Sequence, residues 1–254
     1  MRTEILYEDK SIMVVRKPAG LAVQSAGIGQ PDVVSELKSY LAKLPGAGRT
    51  GKEEPYLGIV HRLDQPVEGL LVFAKDTKAA AALSKQLTEG ALNKHYYAVL
   101  CGYPDCPEGD LVDYLRKEGN VAVAVTGREQ EFADAKIAAL HYRILEEINA
   151  PSPLALADVT IGTGRFHQIR VQFAHAGFPL FGDTKYGTAV LKEAMPAQKY
   201  RGVALCAYSL ELVHPVSGKK MGFRVVPKNP AFAGFAMEEL KKLTENETGI
   251  SKRG

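Results

Sequence analysis

The chain has 254 residues, 46% hydrophobic and 24% charged, the proportions of an ordinary globular protein with room for one large domain or two closely joined lobes. Its formal net charge of +3 excludes no partner by itself. No apolar run approaches the roughly 18 residues of a membrane helix, and Met1-Arg2-Thr3-Glu4-Ile5 lacks the apolar core of a signal peptide, so a cytoplasmic enzyme is expected. Cys101, Cys106 and Cys206 fit neither a disulfide framework nor a four-ligand zinc site and are expected to be free thiols.

In chain order, residues 4–7 and 12–16 read as short strands, followed by a turn at Lys17-Pro18-Ala19-Gly20. Residues 33–44 have the apolar spacing of an amphipathic helix capped by Asp32. Residues 45–55, rich in Gly, Pro and charge, read as a mobile loop. From Ile59 to Lys75 a polar block, His61-Arg62-Leu63-Asp64, lies between two apolar, β-prone runs, predicting strand, loop, strand, with Gly69 easing the turn. Asp76 caps a predicted helix over 77–88 that Gly90 closes. Strands are predicted over 93–100, 120–126, 137–145 and 154–161, and a helix over 167–176 ending at Gly177. A long strand over 203–214 pairs with 221–226 across a turn, and a helix around 232–243 precedes a charged tail. Many strands with few helices between them argue for an α+β fold with a mixed, largely antiparallel sheet and flanking helices.

Charge is unevenly spread. Between Ile161 and Arg224 stand nine Lys or Arg against three Asp or Glu, a surplus of +6 that leaves −3 elsewhere. Such a patch is what a polyanion requires, although a solvated basic face would look the same. Two segments carry the chemistry. Gly164-Arg165 opening 166–176 puts an arginine and backbone N–H groups at a helix start, a site for an anion. Helical spacing sets His167 and Arg170 on one face and Ile169 on another. Asp64 in isolation reads as a turn carboxylate; an arginine partner would keep it ionised as a nucleophile or base. Tyr96 reads as a core tyrosine or as a ring for stacking on a base.

Taken together and in order, Leu6-Tyr7-Glu8-Asp9, Lys17-Pro18-Ala19-Gly20-Leu21, His61-Arg62-Leu63-Asp64, Lys94-His95-Tyr96-Tyr97-Ala98, Gly164 to Arg170, Gly182 to Gly187, Leu205-Cys206-Ala207-Tyr208 and His214-Pro215 closely resemble the RluA-type RNA pseudouridine synthases. The resemblance implies a uridine-to-pseudouridine isomerase with a central catalytic cleft and neither cofactor nor metal. It implies Asp64 as the catalytic aspartate, Arg170 as its arginine partner, and Tyr96 as the residue that stacks on the base and accepts the C5 proton. Ile169 would lie against the pyrimidine, and Arg62 would fill the gap left by a flipped nucleotide. His61, Arg165, His167 and Gln168 complete the expected RNA-binding set. Residues 1–245 would form the catalytic domain, without an S4-like RNA-binding domain, and 246–254 a flexible tail. A tRNA or rRNA stem-loop bound by a monomer is the expected partner. The chain departs from the family at Val67-Glu68, where members commonly carry Thr-Ser. Glu68 is expected to face solvent or to pair with an arginine.

Overall fold

The computed structural model describes residues 1–25, 27, 29–44, 54–126, 134–149, 152–187 and 202–236. The chain forms two compact units, each from two separate stretches: Met1–Lys94 with Ala207–Val225, and His95–Cys206 with Val226–Gly254.

In the first unit the strand order is β1 (Glu4–Glu8), β2 (Ile12–Lys17), β4 (Glu68–Ala74), β10 (Leu205–Val213). The short β3 (Gly58–Ile59) pairs with β4, and β11 (Lys220–Arg224) pairs with β10. The β1–β2, β2–β4, β3–β4 and β10–β11 ladders are antiparallel. Every residue of β2 and β4 is buried, the apolar runs as expected and with them the charged Arg16, Lys17 and Glu68. Helix α1 (Val33–Leu41) buries Val33, Val34, Leu37 and Leu41, and Asp32 accepts a hydrogen bond from Ser35 N–H at its start. Helix α2 (Thr77–Thr88) is capped likewise by Asp76, which accepts from Ala79 N–H.

The second unit has the order β5 (Asn93–Cys101), β9 (Leu154–Ile161), β8 (Lys136–Ile148), β6 (Glu108–Glu118), β7 (Val121–Ala124), all antiparallel. Helix α3 (Gln168–His175) covers one side of this sheet. Val171 packs with Leu115, Ala122 and Ala138, and Phe173 meets Tyr142 edge-on at 5.5 Å. The α+β fold is thus dominated by antiparallel pairing, as the sequence pattern requires.

Several boundaries differ from the sequence reading, each for a local reason. Strand β6 had no counterpart in it. Its apolar residues alternate on both faces among six charged ones, so neither template fits, and the ladders to β7 and β8 define it. The predicted strand over 120–126 shortens to the four residues of β7. Helix α1 stops at Leu41, three residues early. Gly69 does not sit in the turn before β4 but inside β4, with φ +131. Of the expected helix around 232–243, the described part is a single 3-10 turn, Pro230–Phe232, with a non-helical continuation. Residues 237–243 of that helix, most of the expected loop at 45–55, and the tail lie outside the described residues. All three cysteines are free thiols, and burial pushes Cys101 up to about 11. Among the described residues, no helix is long and apolar enough to cross a membrane.

Candidate active site

In the first unit the polar block leaves the sheet after β3 and returns as β4. His61 is buried and its Nε2 accepts from Val72 N–H of β4 at 3.4 Å, capturing a strand donor that a longer β3 would have taken. Burial, reinforced by nearby Lys94, pushes the imidazole down to about 3, so the ring is neutral. Its Nδ1 is buried without a hydrogen-bond partner. Burial also lowers Lys94. Arg62 is exposed, and Asp64 is half-buried.

Asp64 opens a turn closed by Val67 N–H donating to Asp64 O at 3.1 Å. That turn is clamped to Lys17-Pro18-Ala19-Gly20. Lys17 Nζ donates to Gln65 O (3.0 Å), Leu21 O (2.7 Å) and Pro18 O (3.1 Å), and Gly20 N–H donates to Gln65 O at 2.8 Å. Burial pushes the Lys17 amine down to about 7, with the negative charges of Asp64 and Glu68 opposing the shift. Three carbonyl acceptors match the three N–H bonds of an ammonium, not the two of an amine, so the charged form fits this cradle.

Glu68 does not face solvent. It is 3% exposed, and Arg16 Nη2 lies 3.4 Å from its Oε2, so the arginine alternative is the one realised. Arg16 and Lys17, neighbours at the end of β2, thereby hold both ends of the Asp64 loop: one reaches the carboxylate beyond it, the other the carbonyl within it.

In the second unit, Tyr96 lies in β5 opposite Val159, which is in turn opposite Tyr142. The three share the sheet face that α3 covers. Tyr96 is 5% exposed and Ile169, on α3, is buried as well. Arg170 donates to Asp183 twice, Nε to Oδ2 at 2.7 Å and Nη2 to Oδ1 at 2.9 Å, and its guanidinium lies 5.2 Å from the Tyr186 ring centroid. Asp183 is itself fixed by Lys185 N–H and Tyr186 N–H.

The helix starts two residues later than the anion-site reading assumed, at Gln168. Gln168 braces the preceding loop. Its Oε1 accepts from Thr163 Oγ1 and Arg165 N–H, and its Nε2 donates to Ala139 O. Arg165 Nε donates to Ile137 O at 2.9 Å. His167, the residue before the helix, has φ 55 and lies 2.6 Å from the Tyr186 hydroxyl through Nδ1.

Within the first unit the structure thus brings the Asp64 turn to Lys17 and Glu68 to Arg16; within the second it brings Arg170 and His167 to Tyr186. Three positioning residues escaped the sequence reading: Lys17, Arg16 and Asp183. Lys17 and Asp183 stand in motifs that carried the family resemblance, but their partners are distant in sequence and no local pattern names them.

The family model described as RNA pseudouridylate synthase matches residues 11–175. An uncharacterised RNA pseudouridine synthase of Synechocystis sp. is 38% identical, covering 85% of this chain and 63% of that protein. The ribosomal large subunit pseudouridine synthase D of Zymomonas mobilis is 35% identical, covering 87% of this chain and 68% of that protein. Among solved structures, human RNA pseudouridylate synthase domain containing 1 superposes with a TM-score of 0.71 at 19% identity, covering 96% of this chain and 94% of that one, a likeness of fold. The chain belongs to the RNA pseudouridylate synthase family. It spans 63% of the length of the first of these relatives and 68% of the second.

Proposed function

We propose that this protein isomerises uridine to pseudouridine in RNA, with Asp64 as nucleophile. The observation that carries this reading is the Asp64 turn, clamped by Lys17 and Gly20 between buried strands: a carboxylate held on a rigid frame is what a covalent step needs. In the proposed cycle Asp64 attacks C1′ of the ribose and the N1–C1′ bond breaks. The uracil turns, C5 bonds to C1′, and the carboxylate leaves. The Tyr96 oxygen then takes the C5 proton as its own hydroxyl proton passes to N1 of the base through solvent, so the base gains at N1 the proton it loses at C5 and the phenol is restored. Attack on C6 of the uracil is the other route open to the same carboxylate.

Arg170 is the cation proposed to keep Asp64 ionised, with Asp183 fixing its guanidinium plane. Ile169 supplies an apolar wall for the pyrimidine. Exposed Arg62 occupies the gap left when the target nucleotide leaves its stack, a departure costing a few kcal/mol. Arg165 and His167 contact the RNA, while Gln168 and His61 act by holding the loops that carry their neighbours. No cofactor or metal enters the cycle. Residues 1–245 act as the catalytic domain, as a monomer in the cytoplasm. The relatives' names favour large-subunit ribosomal RNA as the substrate, with a tRNA stem-loop as the second choice.

The test is tritium release from RNA labelled at C5 of uridine, ribosomal and transfer pools separately, with wild type and Asp64→Asn. Wild type should release tritium from one pool, whereas Asp64→Asn should release none and keep RNA affinity within about tenfold. Turnover in the variant would remove Asp64 from the mechanism. Tight binding without release by wild type would favour a non-catalytic RNA-binding protein on the same fold.

A further inference from the structure

Just before helix α3, one aromatic residue is exposed and yet fixed. Phe166 is 38% exposed, and its ring stacks on that of His167 with centroids 3.7 Å apart and planes 23° from parallel. His167 is the one non-glycine residue with positive φ among the described residues, a conformation that persists only where neighbours impose it. Tyr186 does so: its hydroxyl lies 2.6 Å from His167 Nδ1 and accepts from Ala122 N–H of β7 at 2.8 Å. Its ring meets that of His167 edge-on at 5.6 Å. The exposed ring therefore stands on a second ring, which is anchored through a third to the sheet.

Cations from three segments frame it. Lys117 Nζ of β6 lies 5.0 Å from the Phe166 centroid. Arg165 is the preceding residue, tied to β8 through Ile137 O. Lys185 is tied to the β6–β7 turn through Asn120 O and precedes Tyr186. The nearby carboxylate of Glu118 is engaged by Arg116 at 2.6 Å. A single exposed aromatic residue needs no explanation; a rigid one in a basic frame is the arrangement on which unpaired bases stack.

We propose that Phe166 is a stacking platform for one unpaired base of the RNA, with Lys117 and Arg165 on the flanking phosphates. The exposed Lys117 ammonium yields the ring face to the base and moves to a phosphate. This assignment rests on the reading of the chain as an enzyme acting on RNA, and adds to it a contact outside the reacting nucleotide.

The chain contains eleven tyrosines but no tryptophan, so Phe166→Trp installs at the platform a single indole that can be excited selectively at the red edge. Titration with an oligouridylate of about twelve nucleotides should quench it saturably; absence of quenching would overturn the proposal. Affinity for the same dye-labelled oligonucleotide, read by anisotropy, should stay within about twofold for Phe166→Tyr and fall about tenfold for Phe166→Leu. Leucine keeps an apolar contact with His167, so unchanged melting alongside the weaker binding separates stacking from folding. Wild-type affinity in Phe166→Leu would sink the idea. Lys117→Gln should lower the slope of log affinity against log salt by about one. Tritium release by wild type with no effect of Phe166→Leu would remove the platform alone. Dependence on Phe166 without tritium release from any RNA would keep the platform and remove the synthase reading.

Discussion

Glu68 is the residue at which the chain most plainly leaves its family's pattern, and Arg16 shows what the change entails. A buried carboxylate four residues from the aspartate proposed as nucleophile would be costly alone; with Arg16 at 3.4 Å it becomes half of a pair. Removing one partner of such a pair costs about 3–5 kcal/mol, whereas replacing both by apolar residues of similar volume is often close to neutral. We therefore expect Glu68→Leu and Arg16→Met each to lower the urea midpoint clearly, and the double variant to recover most of the loss. Strictly additive effects in this cycle would show that the two side chains are not coupled. At this scale the sequence was informative wherever the interaction is short-range. Asp32 and Asp76 were readable as caps because the amides they bind lie three residues on. Lys17 and Gln65, 48 residues apart, have no such local signature, and neither do Arg170 and Asp183.

Among the elements, β4 carries the tightest constraint. A Cβ built on Gly69 would stand 2.5 Å from both N and O of Ala207 in β10, and φ +131 is itself a conformation that side chains resist. The glycine thus serves strand packing, which its place after Asp64 had disguised as turn chemistry. Gly69→Ala should cost at least about 3 kcal/mol in urea unfolding, by overpacking added to backbone strain. Gly20→Ala offers the comparison, with φ +80 but nothing within 4 Å of its Cβ; strain alone there costs about 1–2 kcal/mol. Equal losses would mean that the strands separate to admit a methyl group. Elements with one clear period, such as α2 and β9, were readable in the sequence to the residue. Strand β6 was not, because what stabilises it is a ladder to β8, whose paired residues, from Leu115↔Lys136 to Glu108↔Arg143, lie far along the chain.

For the molecule as a whole, pH dependence follows from one group whose charge the fold refuses and another whose charge it holds. Burial holds His61 at about 3 in the folded state, against about 6.5 in an unfolded chain. Between these values the unfolded state binds a proton that the folded state does not, so stability falls as pH drops from about 6.5 to 3, by up to about 1.4 kcal/mol per pH unit. Asp9 acts in the same direction. Burial opposes its ionisation, but hydrogen bonds from Ile12, Ser11, Tyr7 and His214 outweigh that and hold its carboxyl low, so its contribution is lost as acid protonates it. Urea unfolding at pH 6 and pH 4 should therefore show a smaller difference for His61→Gln than for wild type. Parallel losses would assign acid sensitivity to other groups. The family and the main strands were legible from motif order, whereas this proton economy arises from burial and tertiary hydrogen bonds, which a linear pattern does not reveal.

Each compact unit is assembled from two stretches of chain, and this orders events during synthesis. Strand β4 is buried along all seven residues, yet its neighbour β10 lies more than a hundred positions later in the chain. At the 5–20 residues per second of translation, the growing polypeptide carries β4 with an open edge for roughly ten seconds before β10 is made. A nascent chain in that interval offers unpaired backbone to any extended segment nearby. The protein's exposure to misassembly is therefore set by the speed of the ribosome as much as by the stability of the finished fold.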